Sequence, residues 1–233
     1  MKKIVVSLVA FSLFGCAEMQ QVMDQLPQGT GVLSQAEIGS GLKEALNNGI
    51  TKQVSKLTAT DGFYRNEAVK IFLPEELKVV DKKLRQIGLS KLADEGLKVI
   101  NRAAEDAVKE ATPIFVDAVK QMSFNDAKNI LLGNDSSATN YLQNTTSTSL
   151  QAKFTPVIQN SYTRVGADKI WSEIITKYNS LPLVKKVNPN LTEYTTSKAM
   201  EGVFKMIAVE EKDIRTNLNA RSSNLLKKVF ALQ

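Results

Sequence analysis

The chain has 233 residues, of which 43% are hydrophobic and 23% charged, the ordinary composition of a folded globular body. It contains no histidine and a single cysteine, which excludes Ser-His-Asp and Cys-His catalysis, His-based zinc and haem ligation, and an internal disulfide. The net charge of +6 is spread among acidic residues instead of forming a basic block, so nucleic acid is not an expected partner.

Lys2 and Lys3 precede Ile4–Phe14, an almost wholly apolar run too short to span a bilayer comfortably. Leu13, Phe14, Gly15 and Cys16 resemble the lipobox of bacterial lipoproteins, with Phe14 where a smaller residue is usual. That resemblance implies cleavage before Cys16, diacylglycerol on its sulfur and acylation of its new amine. More than one acyl chain gives stable anchoring. Ala17 after the cysteine points to the outer membrane, on the periplasmic side of the cell envelope. Residues 1–15 then read as a signal peptide, 16–33 as a lipidated tether containing Pro27, Gly29 and Gly31, and 34–233 as a single helical domain. A body of roughly 200 residues is enough for one sizeable core.

Ser34 and Glu37 form a capping-box pattern that opens a helix to about Leu57. Ile38, Leu42, Ala45, Leu46, Ile50 and Val54 make its apolar stripe. Gly39, Gly41 and Gly49 lower its intrinsic stability, and glycine on a packed face permits close helix contact. Asp61-Gly62 signals a turn, and Ala68–Leu73 could run extended, although no second strand exists to pair with it. Pro74 suits the start of a helix, with Glu75 and Glu76 at its positive end and Leu77, Val80, Leu84 and Ile87 as its stripe. Gly88 closes it.

Ser90–Leu132 is the stretch around which the rest is expected to organise. At about 100° per residue, Leu89, Ala93, Leu97, Ile100, Ala104, Ala107, Ala111, Ile114, Phe115, Ala118 and Met122 share one side, and charged residues share the other. The alanines let a partner helix come close. Pro113 predicts a kink in this long helix, and Ser123 with Asp126 caps a short one that stops at Gly133. A helix follows from about Ala138 to Arg164, with a second kink at Pro156 and an unfavourable early segment, Asn144–Leu150. Gly166 ends it. Asp168–Tyr178 reads as a shorter helix carrying Trp171, Ile174 and Ile175. Asn190 with Glu193 caps a helix to about Thr216, closed by a charged end at Glu210, Glu211, Lys212, Asp213 and Arg215. A last helix spans about Ser222–Ala231. The fold class is all-α: an irregular bundle of about seven or eight helices.

Four motifs carry a wider likeness. Asn101–Val108 (NRAAEDAV), Asp117–Gly133 (DAVKQMSFNDAKNILLG), Arg164–Gly166 (RVG) and Leu225–Phe230 (LLKKVF), in that order, resemble the bacterial family known as domain of unknown function 4197. The resemblance covers about Leu33–Phe230 and implies an all-helical envelope protein, usually with a signal or lipoprotein leader. It brings no activity, cofactor or catalytic residue.

The remaining chemistry is carboxylate chemistry. Glu105 and Asp117 are the candidate acid pair, with Asp126 beyond them, since glycoside hydrolysis needs only two carboxylates. Against that, Arg102, Glu105 and Lys109 read as a solvated ladder of charges. Asp117 lies nearer the apolar margin, and if buried it requires Lys120, Arg164 or Arg102 as a cationic partner. Asn134-Asp135-Ser136 is too short and too poor in carboxylates for a calcium loop, and neither metal nor cofactor is expected. Trp171, Tyr178 and Phe204 could line an apolar pocket between helices, though aromatics at helical spacing are commonly plain core. The sequence therefore points to a membrane-anchored, non-enzymatic envelope protein that binds an envelope protein partner or helps maintain the envelope. A carrier of a lipid-like ligand and a carboxylate-dependent hydrolase of envelope glycans are the alternatives.

Overall fold

A computed structural model describes residues 33–86, 88, 90–169, 172, 176, 179–180, 182, 186 and 190–232. Cys16, Trp171 and Tyr178 lie outside the described residues, as does most of the expected helix at 168–178. Every regular element among the described residues is helical: α1 (Gln35–Thr58), α2 (Glu75–Gln86), α3 (Ser90–Val108), α4 (Ala111–Gln121), α5 (Phe124–Leu131), α6 (Ser137–Val165), α7 (Leu191–Thr216) and α8 (Asn224–Val229), with 3-10 turns at Leu218–Ala220 and Phe230–Leu232. Met1–Leu33 and Ser34–Gln233 are separate units.

The helix starts follow local chemistry. At α1 the Ser34 hydroxyl accepts the Glu37 N–H at 3.2 Å, while the Glu37 carboxylate accepts the Ser34 N–H at 2.8 Å. The same box recurs at α5, where Asp126 accepts the Ser123 N–H at 3.0 Å and Ser123 accepts the Asp126 N–H at 3.1 Å. Each box satisfies donors that the first turn leaves without helical partners. Gly166 ends α6 at φ 67°, a left-handed conformation that glycine adopts without a Cβ clash.

Pro113 acts differently from a simple kink. A proline ring collides with the carbonyl four residues back, here Lys109. The helix accordingly stops at Val108, turns through Lys109 and Glu110, and restarts as α4. Pro113 then sits in the first turn of α4, where its missing N–H would have had no helical partner. The expected long helix is thus two helices. α6, by contrast, runs on through Pro156. Its unfavourable early segment is helical with Thr146 and Leu150 buried in the core, and Thr145, Thr146 and Ser147 satisfy their hydroxyls on carbonyls one turn back, at 2.8, 2.6 and 2.6 Å.

The core forms where α3, α6 and α7 pack on one another, with α1 laid on α7, α4, α5 and α8. Ala103, Ala104, Ala107 and Ala111 are fully buried, so small side chains do line the close contacts of α3 and α4. Phe115 meets Phe204 edge to face, ring centres 5.9 Å apart. On α6 the buried residues Leu142, Thr146, Leu150, Phe154, Ile158 and Tyr162 recur at every fourth position, a single inclined ridge. The next ridge over is polar and faces a groove.

Candidate functional site

Several charged residues singled out in the sequence serve the backbone. Asn101 on α3 is fully buried. Its carbonyl accepts the Ile71 N–H at 2.9 Å, and its amide donates to the Ile71 carbonyl at 2.9 Å and the Leu97 carbonyl at 2.8 Å. One side chain thus stands in for the strand that Ala68–Leu73 lacks. One turn on, Glu105 accepts the Phe63 N–H at 3.1 Å and an Arg102 N–H at 2.8 Å, and Arg102 reaches Asp61 at 2.8 Å. Glu105 is therefore not part of a solvated ladder: it is 3% exposed, because loop 59–74 folds over that face of α3 and brings its backbone donors with it.

Asp117 corrects the opposite way. It is exposed and pairs only loosely with Lys120, at 3.6 Å, because the break before α4 redirects the wheel on which it was placed near the apolar margin. Glu105 and Asp117 belong to different networks. Asp126 serves as a cap. Arg164 pairs with Asp106 at 3.2 Å, joining the end of α6 to α3. Partial burial pushes the Asp106 carboxyl up, but Lys109, Ser161 and Arg164 outweigh it and hold it below its ordinary value.

The charged end of α7 is also not a solvated end. Glu211 is buried and accepts the Ala138 and Thr139 N–H groups, both at 2.8 Å, at the positive start of α6. Arg215 binds Glu211 at 2.9 Å and donates to the Ile130 carbonyl at 2.8 Å at the negative end of α5. Glu210, equally buried, takes Lys52 at 2.7 Å and the amide of Gln53. Beside this cluster lies a cavity of about 30 Å³, lined mostly by apolar groups of α1, α7 and Phe230, room for about one water.

The larger opening runs between α6 and α7, a groove of about 750 Å³. One wall is the polar ridge of α6: Gln143, Ser147, Gln151, Thr155 and Gln159, every fourth residue. The facing wall, on α7, presents Thr192, Thr196 and Ser197, with Glu193 and Glu201 at either end and Met200 and Phe204 as its apolar part. Thr192 donates to the Gln159 amide oxygen at 2.8 Å and ties the two walls together. Thr196 is 2% exposed and its hydroxyl has no hydrogen-bond partner among the described residues. Glu201 turns to Lys198 at 2.6 Å. Among the described residues no lysine or arginine lines the groove.

Phe204 is the one member of the expected aromatic pocket that the described residues contain, and it is largely core. The groove itself escaped sequence reading. Its signal was present as a Gln-Ser-Gln-Thr-Gln series at period four, in a 29-residue helix with few charges.

Among curated proteins and among solved structures, none matches this chain. The family model described as a protein of unknown function, DUF4197, matches residues 32–231, in agreement with the resemblance carried by the four motifs, and the chain belongs to that family.

Proposed function

We propose that the chain is an envelope lipoprotein, anchored through Cys16 on the periplasmic side of the outer membrane, whose helical domain is a binding module with the α6–α7 groove as its recognition surface. The groove carries the reading. It is long and open, lined mainly by polar residues, and the chain has no histidine to activate its hydroxyls. Among the described residues no group of three or more Cys, Asp or Glu side chains is placed to hold a metal ion.

The carboxylates favour binding over turnover. Glu201 is held by Lys198 at 2.6 Å, and the backbones of Glu193 and Glu201 stand about 12 Å apart along the axis of α7. Glycoside hydrolysis places its two carboxylates about 5–10 Å apart across the scissile bond. The anchoring half of the proposal rests on the lipobox-like Leu13-Phe14-Gly15-Cys16.

Both halves are testable in the native cells. With an alkyne-tagged fatty acid, the wild-type chain is expected to take up label and Cys16→Ser to take up none; an unlabelled wild type removes the anchor. A photo-crosslinking residue in place of Gln151 is expected to give a discrete envelope adduct that the same residue in place of exposed Lys91 does not. Loss of that difference removes the groove as a recognition surface.

A further inference from the structure

We infer that the α6–α7 groove takes an extended, uncharged, polyhydroxylated chain, a neutral glycan, laid along the polar ridge of α6. The inference rests on the reading of the groove as a recognition surface and adds the chemistry of what it recognises.

The charge of the lining comes first. In a chain with 30 lysines and arginines, none lines the groove among the described residues. Phosphate, sulfate and acidic lipid headgroups are recognised by such cations, so anionic ligands find no partner here. Of the two carboxylates, Glu201 is already engaged by Lys198. The ridge of α6 carries no charged residue, so along it the groove is suited to a ligand without net charge, with Glu193 on the facing wall.

The hydrogen-bonding character comes second. Gln143 and Gln151 each offer two donors and an acceptor, Gln159 keeps its amide donors while its oxygen takes Thr192, and the Ser147 and Thr155 hydroxyls, which donate to carbonyls one turn back, are left as acceptors. A ligand whose own groups are hydroxyls, each donor and acceptor, can pair with every rung. Thr196 adds a hydroxyl on the facing wall that has no partner among the described residues. Unpaired buried hydroxyls are uncommon in folded proteins, and this one lies behind the groove wall.

The spacing comes third. Residues four apart on a helix rise about 6 Å, so the ridge from Gln143 to Gln159 extends about 24 Å. A regularly repeating ligand of about four units would occupy it. An extended peptide has a comparable same-face repeat, but peptide grooves gain specificity from pockets for alternate side chains. Here Met200 and Phe204 are the only apolar side chains in the lining among the described residues, and both stand on one wall. The lining chemistry thus selects the sugar chain.

The test is titration of the full chain, in detergent, with N-acetylglucosamine oligomers of increasing length. Affinity is expected to rise about tenfold between the dimer and the tetramer and then level off, as rungs are filled. Gln151→Ala is expected to weaken the tetramer about threefold to tenfold. Ser147→Trp, which obstructs the ridge from a half-buried helical position, should abolish binding, with an unchanged thermal melt showing that both variants fold. Lys153→Ala, outside the groove, should bind as wild type. No binding of any oligomer at millimolar concentration, binding independent of length, or a Gln151→Ala variant that binds as wild type overturns the inference, as does tighter binding of a neutral serine-rich peptide. Failure here with the Gln151 crosslink intact removes the glycan and leaves the recognition surface. Failure of both removes the surface itself.

Discussion

Replacing Asn101 with Ala removes the groups that, among the described residues, pair the buried N–H and carbonyl of Ile71. Two desolvated backbone groups left unpaired are expected to cost about 2–4 kcal/mol in urea unfolding. Lys198→Ala, which breaks an exposed pair, is expected to stay within about 0.5 kcal/mol of wild type. Tyr162 supplies a pH test. Burial pushes its phenol well above the ordinary 10.0, with the Thr195 hydroxyl opposing only in part. The neutral phenol is the form the fold favours, so its contribution is fully present below the unfolded-state value and is lost as pH rises beyond it. Absorbance titration is expected to show one tyrosine that ionises only as the protein unfolds above about pH 10, and Tyr162→Phe should remove that step. If all tyrosines titrate together in the folded state, the phenol is not sealed in the core.

Among elements, α1 contains its own control. Gly39 has open space where a Cβ would stand, whereas a Cβ at Gly41 would meet the Val229 methyl at 2.6 Å. Gly39→Ala is expected to stabilise the protein by about 1 kcal/mol, since alanine is the better helix former. Gly41→Ala is expected to destabilise it by about 1–3 kcal/mol by pushing α8 off α1. Thermal melts of the two variants should move in opposite directions, and a shared direction would show that α8 does not close on α1 as described. The capping boxes at Ser34 and Ser123 were legible in sequence because each is complete within four residues. The end of α3 was less so. Periodicity continues through Pro113, and the collision that stops the helix falls at Lys109, four residues earlier, with no marker of its own.

At the scale of the molecule, Glu211 and Arg215 link three helices. The carboxylate holds the first amides of α6, the guanidinium holds the last carbonyls of α5, and both belong to α7. Glu211→Ala leaves a buried arginine and buried amides uncompensated, and a loss of about 3–5 kcal/mol is expected in chemical unfolding. A loss below about 1 kcal/mol would mean that water reaches this junction. What the amino-acid sequence determined by itself is local: the helical class, most helix boundaries, the apolar faces, and the absence of histidine chemistry. Those features depend on neighbours within a turn or two, where a 3.6-residue period and a cap can be read directly. What only the tertiary structure decided is the fate of the polar residues. Glu105 and Glu211 look like surface charges on a wheel, but their partners stand 42 and 73 residues away in the chain. The groove needs a ridge of α6 to face a ridge of α7. A side chain's period says which way it points along its own helix; the partner that buries it, bonds it or leaves it open comes from another part of the chain, and no local pattern encodes that distance.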